Sequence, residues 1–420
     1  MVDKNLFLYD LAIVAIMKGE EHYVKEWLDY HLLAGVDHFY IYDNDSTPDF
    51  KKILQPYIDA NIVSYIHYPG KARQFEAYND AFKRVRFECR YMAIVDGDEF
   101  IFPKSKSTIT EIVDEVLSKN PNAASLSPNW RFFGSNGLEK ADYNIGVLDR
   151  FTKRAKNVDR HTKTIANPRK IDFFQNSHYA IYFSGCYAAN ENGKFFAGPF
   201  NEEQTAEKIC IHHYHTKSYE EYVAKRARGD VIAFTGDKYG DGLFKVNDCN
   251  DEIDEGIIKY RDARRAALIP QGGGYDALFP RKQINPQRLF NALVSNLITT
   301  TVGSIPRNFY EGKVENFLTC LNLIGYLRGK LLDDNGAKIF EELSLNALYK
   351  SMVVGSSTAD ILLLISELPK ILDMNYSAVK KIRDACINII PQIMTHCRMY
   401  NQWQKFTELE YTLKLLKKIN

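Results

Sequence analysis

The feature that most constrains this chain is an alternation, across its first hundred residues, of short apolar runs with segments of helical periodicity. The apolar runs cover residues 11–16, 38–42, 62–68 and 91–95. The helical segments between them cover residues 20–35, 50–60 and 72–87. Short apolar runs bounded by turns are typical of buried strands, and apolar residues three or four positions apart are typical of amphipathic helices. Strands connected through helices require right-handed crossovers, so the pattern predicts an α/β fold built on a parallel sheet.

Polar clusters follow three of the predicted strands at the point where each strand ends. They are Lys18-Gly19-Glu20, Asp43-Asn44-Asp45-Ser46 and Asp96-Gly97-Asp98-Glu99. In open α/β sheets, ligands bind beyond the carboxyl ends of the strands. The three clusters are therefore expected to converge on one binding site.

The third cluster places three acids within four residues, and their mutual repulsion needs compensation. A divalent cation provides it, because carboxylate oxygens are natural ligands of Mg²⁺ and Mn²⁺. Asp96 and Asp98 are two positions apart, so in an extended chain they project to the same side. Such a pair can hold a metal that also bridges the diphosphate of a substrate. The alternative is a solvated acidic turn.

The composition is that of a globular protein, with 45% hydrophobic and 25% charged residues, and 420 residues suggest two or three domains. A formal net charge of +1 argues against a protein that coats nucleic acid. The seven cysteines contain no C-x-x-C pair, which favours free thiols in a reducing compartment. The first ten residues lack the apolar core of a signal peptide, and polar residues interrupt 289–306, which reads poorly as a membrane span. We therefore expect a soluble, cytoplasmic protein.

Several segments also resemble glycosyltransferases of the family 92 and family 2 type. Residues 12–46 resemble the family's opening, with matches at Lys18, Glu20, Glu26, Trp27, His31, Gly35, Val36, Asp43, Asn44 and Ser46 and with Gly19 in place of the usual Asn. Residues 91–103 are similar to its metal-binding D-x-D segment. Later blocks at 129–135, 161–178 and 212–229 follow in the family's order, with His212 replacing Asn. The resemblance extends over residues 11–260.

The resemblance implies a GT-A fold, with a Rossmann-like mixed sheet, and an inverting transfer from a nucleotide sugar held through Mn²⁺ or Mg²⁺. It implies metal ligation by Asp96, Asp98 and His213. It implies donor binding by Lys18, Glu20, Asp43, Arg73, Gln74, Asp96 and Lys217, and stacking of an acceptor sugar on Trp130. Structural alternatives stay open: a hydrogen-bonded His213, a solvated Lys217, a helix start at Arg73 and Gln74, and a core position for Trp130.

The catalytic base is not singled out by sequence. An inverting enzyme needs a carboxylate or imidazole near the acceptor hydroxyl. The candidates are Glu99, Asp142, His178, Glu191, Glu202 and Glu203, and their order along the chain does not choose among them.

The character of the chain changes near residue 285, after which most segments have helical spacing. This predicts a catalytic domain at 1–284 and an all-α domain at 285–420. The last amphipathic segment, 406–419, ends in Lys414, Lys417 and Lys418. It fits a homodimer interface, a helix packed on its own bundle, or peripheral docking on the anionic inner face of a membrane, where lipid-linked glycan acceptors reside.

The hypothesis is an inverting, metal-dependent enzyme that moves a hexose, with galactose from UDP-galactose as the leading donor, onto a glycan or lipid-linked glycan. Such an enzyme would act in surface polysaccharide or lipopolysaccharide synthesis. Two other classes compete with it. A nucleotidyltransferase or phosphohydrolase also uses paired aspartates, but a Gly-rich nucleotidyl loop is missing near the first strand. A non-catalytic glycan-binding protein would keep Trp130 and have no need of the metal cluster.

Overall fold

The computed structural model describes residues 7–120, 122–182, 185–227 and 241–279, together with part of the segment between 384 and 417. The chain divides into two compact units, the larger spanning Tyr9–Arg281 and the smaller Lys282–Asn420, each with a short N-terminal stretch. The predicted boundary between residues 284 and 285 falls outside the described residues and stays a prediction.

The described part of the larger unit contains fifteen strands. They are β1 (Tyr9–Met17), β2 (His38–Asp43), β3 (Val63–His67), β4 (Cys89–Ile94), β5 (Glu99–Pro103), β6 (Ala123–Leu126), β7 (Trp130–Phe132), β8 (Lys153–Arg154), β9 (Ile165–Ala166), β10 (Ile171–Phe174), β11 (Ala180–Tyr182), β12 (Tyr187–Ala189), β13 (Phe195–Phe196), β14 (Ile209–His213) and β15 (Glu252–Ile253).

Eight strands form the main sheet, in the order β13-β12-β6-β9-β4-β1-β2-β3. Neighbours from β4 to β3 run parallel, which confirms the prediction from the four apolar runs. The other half is mixed, because β9 runs antiparallel to both β4 and β6. The sheet is thus the mixed α/β sheet expected of a GT-A fold.

Helices connect the parallel strands and cover the sheet. In the described part of the larger unit the α-helices are α1 (Val24–Leu33), α2 (Pro48–Asp59), α3 (Gln74–Glu88), α4 (Ile109–Lys119), α5 (Val147–Arg150), α6 (Tyr219–Ala227), α7 (Asp241–Asn247) and α8 (Gly256–Leu268). The first three match the predicted helical segments to within a few residues. A capping box closes the start of α4, where Thr108 and Glu111 each bond the other's backbone N–H.

A second sheet has three strands, in the order β5-β14-β7. β14 runs antiparallel to β5 and parallel to β7. In this register His213 lies opposite both Glu99 and Phe132. Segments more than one hundred residues apart in sequence therefore meet just beyond the end of β4.

Side chains of helix α1 make buried hydrogen bonds to the backbone of β5. The Trp27 indole donates to the carbonyl of Glu99 at 2.8 Å, and the Tyr30 hydroxyl donates to the carbonyl of Ile101 at 2.8 Å. The His31 ring bonds the carbonyl of Trp27 through Nδ1 and accepts the Ile101 N–H at Nε2. Trp27 and His31, two of the residues that match the family pattern, therefore position β5, the strand that begins at Glu99.

In the smaller unit, the described residues include a helix at Trp403–Leu416, where Lys414 pairs with Glu410 at 3.6 Å. The segment 289–306 lies outside the described residues, and the dimer and membrane roles considered for 406–419 stay predictions. Among the helices that the structure describes, none has the length and apolarity needed to cross a bilayer.

Candidate functional site

The predicted acidic cluster lies in the connection from β4 to β5. Residues 97 and 98 form a turn there rather than extended chain, so the expectation that Asp96 and Asp98 share one side through extended geometry does not hold. Gly97 suits the turn, because a Cβ at this position would lie 3.2 Å from the Glu20 side chain. The end of β1 and the turn after it therefore pack directly against the cluster, as expected from the convergence of the strand ends.

Asp96 is held by three side chains. Its Oδ2 accepts from the Lys163 ammonium at 2.6 Å, and its Oδ1 lies 3.2 Å from the Gln74 amide and 3.2 Å from the Tyr78 hydroxyl. Gln74, predicted for the donor site, is buried and reaches Asp96 from the first turn of α3. The first acid of the cluster is therefore neutralised by a residue of the protein.

Lys163 is a buried counter-ion that sequence reasoning missed. Its side chain is 0% exposed, and its ammonium also lies 3.3 Å from Glu99 Oε2. Burial lowers the pKa of Lys163, but Asp96 and Glu99 outweigh it and the net shift is upward. Burial raises the pKa of Glu99 to about 8, with Lys163 opposing the shift. The sequence carried no signal for this contact, because 67 positions separate Lys163 from Asp96.

Asp98 faces a different set of partners. Its Oδ2 accepts from Lys225 at 2.5 Å, and its Oδ1 lies 3.7 Å from His213 Nε2. Burial raises the pKa of Asp98, but Lys225, His213 and Lys217 hold it well below its ordinary value. Asp98 is therefore a buried carboxylate that is ionised at neutral pH.

Two imidazoles complete a group that could hold a metal ion. One donor atom from each of Asp98, His213 and His215 lies within 4.8 Å of the others. The ring centres of His213 and His215 are 5.3 Å apart, while His212 lies against Phe133 instead. His215 was missed as a ligand, although two-residue alternation along an extended chain could have paired it with His213.

Both imidazoles are in the protonation state that a metal ligand requires. Burial lowers the pKa of His213, and it lowers the pKa of His215 to about 2, so both rings are neutral at pH 7. Nδ1 of His213 is buried and has no hydrogen-bond partner among the residues that the structure describes. The carboxylate and the two neutral rings form a suitable donor set for a divalent ion. Asp96 lies outside this set, and its role as a ligand stays a prediction.

Two further cations face the cluster. Lys217 is buried, with its ammonium 4.3 Å from the centre of the Tyr23 ring. Burial lowers the pKa of Lys217, while the charges of Glu20 and Asp98 oppose that shift. Together with Lys225 it supplies positive charge beside Asp98, which suits a polyanionic ligand.

The other predicted donor residues lie at the neighbouring strand ends. Asp43 accepts from the Tyr65 hydroxyl at 2.6 Å and from the Ser46 N–H at 2.9 Å. Lys18 is half-buried in the turn after β1. Arg73 pairs with Glu76 and lies over the Tyr68 ring at 4.7 Å, so it belongs to the start of α3. Donor binding by these residues stays a prediction.

Trp130 lies at the centre of a cluster of imidazole rings. Its ring centre is 4.2 Å from that of His213, 4.9 Å from that of His161 and 4.9 Å from that of His178. The residue is 8% exposed, and its indole N–H has no hydrogen-bond partner within the described residues. Most of its surface is thus covered by protein, and stacking on an acceptor sugar stays a prediction.

Four of the six candidate bases make structural contacts that occupy their carboxylates. Glu191 is buried and accepts three backbone N–H groups from residues 207–209, at the end of β14 away from His213. Asp142 caps an exposed turn by accepting the Asn144 N–H at 3.0 Å. Glu202 pairs with Arg160 at 3.3 Å, and Glu203 pairs with Lys194 at 2.5 Å.

Of the other two candidate bases, Glu99 is the third acid of the cluster and His178 lies beside the cluster. Glu99 is fully buried and bonds the Asp96 N–H at 3.0 Å. The His178 ring lies against Trp130, and its Nδ1–H donates to the Thr162 carbonyl at 3.1 Å. Burial, with a further contribution from Lys163, lowers the pKa of His178 to about 3.

The family model of Glycosyltransferase family 92 matches residues 14–226 of this chain. A family 92 protein of Ricinus communis is 27% identical over 166 residues, which are 39% of this chain and 30% of the relative. A galactan beta-1,4-galactosyltransferase of Arabidopsis thaliana is 29% identical over 193 residues, covering 41% of this chain and 35% of the relative. The chain thus spans about a third of the length of these curated relatives.

Among solved structures, TarS from S. aureus aligns with 82% of this chain and 90% of its own, at 11% identity and a TM-score of 0.29. The family match covers half of the chain and includes the acidic cluster, Lys163, His213 and His215. The chain therefore belongs to glycosyltransferase family 92.

Proposed function

We propose that this protein is an inverting, metal-dependent glycosyltransferase that moves a hexose from a UDP-sugar to a glycan acceptor. The observation that carries the proposal is the group formed by Asp98, His213 and His215, which two lysines face at the end of β4. A site that joins a buried anion, two neutral imidazoles and two cations suits a metal together with a diphosphate.

The residues of this group fit a divalent transition metal. The donor set contains one carboxylate and two imidazoles, and Nδ1 of His213 is buried without a partner among the described residues. Imidazole nitrogen favours Mn²⁺ over Mg²⁺, which prefers an all-oxygen environment. When bound, the metal neutralises charge that develops on the departing diphosphate.

The chain's own residues bind and orient the two substrates. Lys217 and Lys225 are close enough to Asp98 to shift its pKa, and we assign them to the diphosphate. Lys163 fixes the Asp96 carboxylate in place, and Asp43 lies at the neighbouring strand end, where we expect the nucleoside. Inversion requires the acceptor hydroxyl to approach the anomeric carbon from the face opposite the diphosphate.

Galactose is the hexose that we propose. Support comes from the Arabidopsis thaliana relative, which is named a galactan beta-1,4-galactosyltransferase. A galactan or a related hydroxyl-rich polymer is accordingly the first acceptor to test.

The test is a transfer assay with a panel of UDP-hexoses and β-galactan acceptors, run with Mn²⁺, with a chelator, and with the Asp98→Asn variant. We expect Mn²⁺-dependent transfer from one donor, loss of transfer with the chelator, and at least a hundredfold loss in the variant. Asp142→Asn, in an exposed turn, is the matched control and should retain wild-type activity. Equal activity in all conditions would exclude the metal role, and no transfer from any UDP-hexose would exclude the function.

A further inference from the structure

A hydrogen-bonded His161–Asp159 pair lies beside the proposed metal group, and sequence reasoning did not consider it. The Asp159 Oδ1 accepts from His161 Nδ1–H at 2.6 Å and from the His161 backbone N–H at 2.8 Å. We infer that His161 is the catalytic base that deprotonates the acceptor hydroxyl and that Asp159 is its positioning residue. The inference rests on the proposed function.

The two contacts fix the tautomer of the imidazole. A carboxylate only accepts hydrogen bonds, so Nδ1 carries the proton and Nε2 presents its lone pair. The side chains of His161 and Asp159 are 34% and 30% exposed, so the pair is open to a substrate. Burial raises the pKa of Asp159, but the side-chain and backbone hydrogen bonds from His161 outweigh it and lower the pKa below its ordinary value. The pair therefore has the arrangement by which a carboxylate orients a histidine base and stabilises the imidazolium that forms.

His161 lies close to both the proposed metal group and the acidic cluster. Its ring stacks on Trp130 at 4.9 Å, and the same indole contacts His213 at 4.2 Å. Two residues further along, the Lys163 ammonium reaches Asp96 and lies 6.0 Å from the Trp130 ring. The segment that carries the base is thus anchored on the acidic cluster, and one indole separates His161 from the proposed metal group.

The two remaining candidate bases, one beside the cluster and one within it, are poorer bases than His161. His178 uses its Nδ1–H on a backbone carbonyl, lacks a carboxylate partner among the described residues, and has a pKa of about 3. Glu99 is 0% exposed, and its Oε2 is occupied by Lys163 and the Asp96 N–H. His161 combines access to solvent with an ionised partner.

The step balances without a further reactant. Nε2 of His161 takes the proton of the acceptor hydroxyl as the oxygen forms a bond to the anomeric carbon. The bond between that carbon and the diphosphate oxygen breaks, and its electron pair leaves on the diphosphate. Asp159 stabilises the imidazolium until the proton passes to solvent.

The experiment measures kcat, KM for the UDP-hexose and Mn²⁺-dependent UDP affinity in the wild type, His161→Ala and Asp159→Asn. A general base contributes about 10²- to 10⁴-fold, so His161→Ala should lose that factor in kcat and keep its donor KM and UDP affinity. Added imidazole should restore part of its rate. Asp159→Asn should lose at least tenfold in kcat alone. Asp59→Asn is the control for the Asp159 change, an exposed carboxylate at the C-terminal end of α2 that accepts from the Gln55 amide at 2.7 Å, and should transfer at the wild-type rate.

The assignment of His161 as the catalytic base can be overturned by either of two results. The first is a His161→Ala variant that retains more than half of the wild-type kcat. The second is a variant whose rate and UDP affinity fall by the same factor and whose rate is not restored by added imidazole. Both of those outcomes leave the proposed function standing. A wild-type protein that transfers no hexose overturns the proposed function and this assignment together.

Discussion

Replacing Lys163 by Met tests the buried ion pairs at the centre of the site. The Lys163 side chain is 0% exposed and contacts Asp96 at 2.6 Å and Glu99 at 3.3 Å. Met has a similar volume, so the cavity term is small and the loss is mainly electrostatic. Removing one partner of a buried ion pair costs about 3–5 kcal/mol, because the remaining charge stays buried without compensation. We expect the free energy of unfolding to fall by about that amount.

The assay is urea unfolding at pH 7.5, followed by far-ultraviolet circular dichroism, with the wild type and two variants. Lys194→Met is the matched control: it removes an ion pair with Glu203 at 2.5 Å, but the Lys194 side chain is 66% exposed. Exposed ion pairs are screened by solvent and contribute little to stability, so this variant should unfold close to the wild type. Combining Lys163→Met with Asp96→Asn should recover part of the loss, since it removes the carboxylate that Lys163 compensates at 2.6 Å. A cost below about 1 kcal/mol for Lys163→Met would refute the assignment of this lysine as a buried counter-ion.

Three further changes probe the fold around the site. Burial lowers the pKa of His31 to about 3, so an unfolded chain binds a proton that the folded one excludes, and stability should fall as the pH drops below about 6.5. His31→Gln should reduce that slope by about 1.4 kcal/mol per pH unit in urea titrations between pH 6 and 4, and an unchanged slope would contradict the burial argument. Glu221→Gln leaves the Arg150 guanidinium, which it bonds twice at 2.8 Å, buried and unpaired, so thermal unfolding should report a loss of about 3–5 kcal/mol. Glu191→Gln should cost about 1–3 kcal/mol in urea unfolding while the transfer rate stays at the wild-type value, and a tenfold slower folded enzyme would restore Glu191 as a candidate base.

Local patterns predicted the half of the sheet that consecutive chain segments build. The four apolar runs correspond to β1, β2, β3 and β4, because each strand is buried and joined to the next through a helix. The mixed half of the sheet was harder to predict from the sequence. β6 and β9 are four and two residues long, too short for a period-two pattern to be distinctive, and β9 is fixed by antiparallel pairing with β4 more than seventy positions away.

The site residues also fall into two groups, those that the sequence predicted and those that only the structure shows. Asp98 and His213 were predicted, and the structure brings them to 3.7 Å from one another. Lys163 and Lys225 were not, since a lone lysine in a polar segment carries no local sign of the carboxylate it will meet. His161 was passed over because its significance comes from Asp159 and Trp130, and only the folded chain brings the Trp130 ring against it. The local sequence predicts where the strands end, whereas the residues that pair with the site carboxylates are known only from the folded structure.

We propose that Asp98, His213 and His215 hold a divalent metal for the donor diphosphate. The most direct measurement is pulsed electron paramagnetic resonance of Mn²⁺ bound to the protein with UDP. We predict nitrogen hyperfine coupling from two imidazoles, reduced to one in His215→Gln, with Asp98→Asn binding the ion far more weakly. A bound Mn²⁺ whose spectrum lacks nitrogen coupling and is unchanged in both variants would contradict metal binding by these three residues.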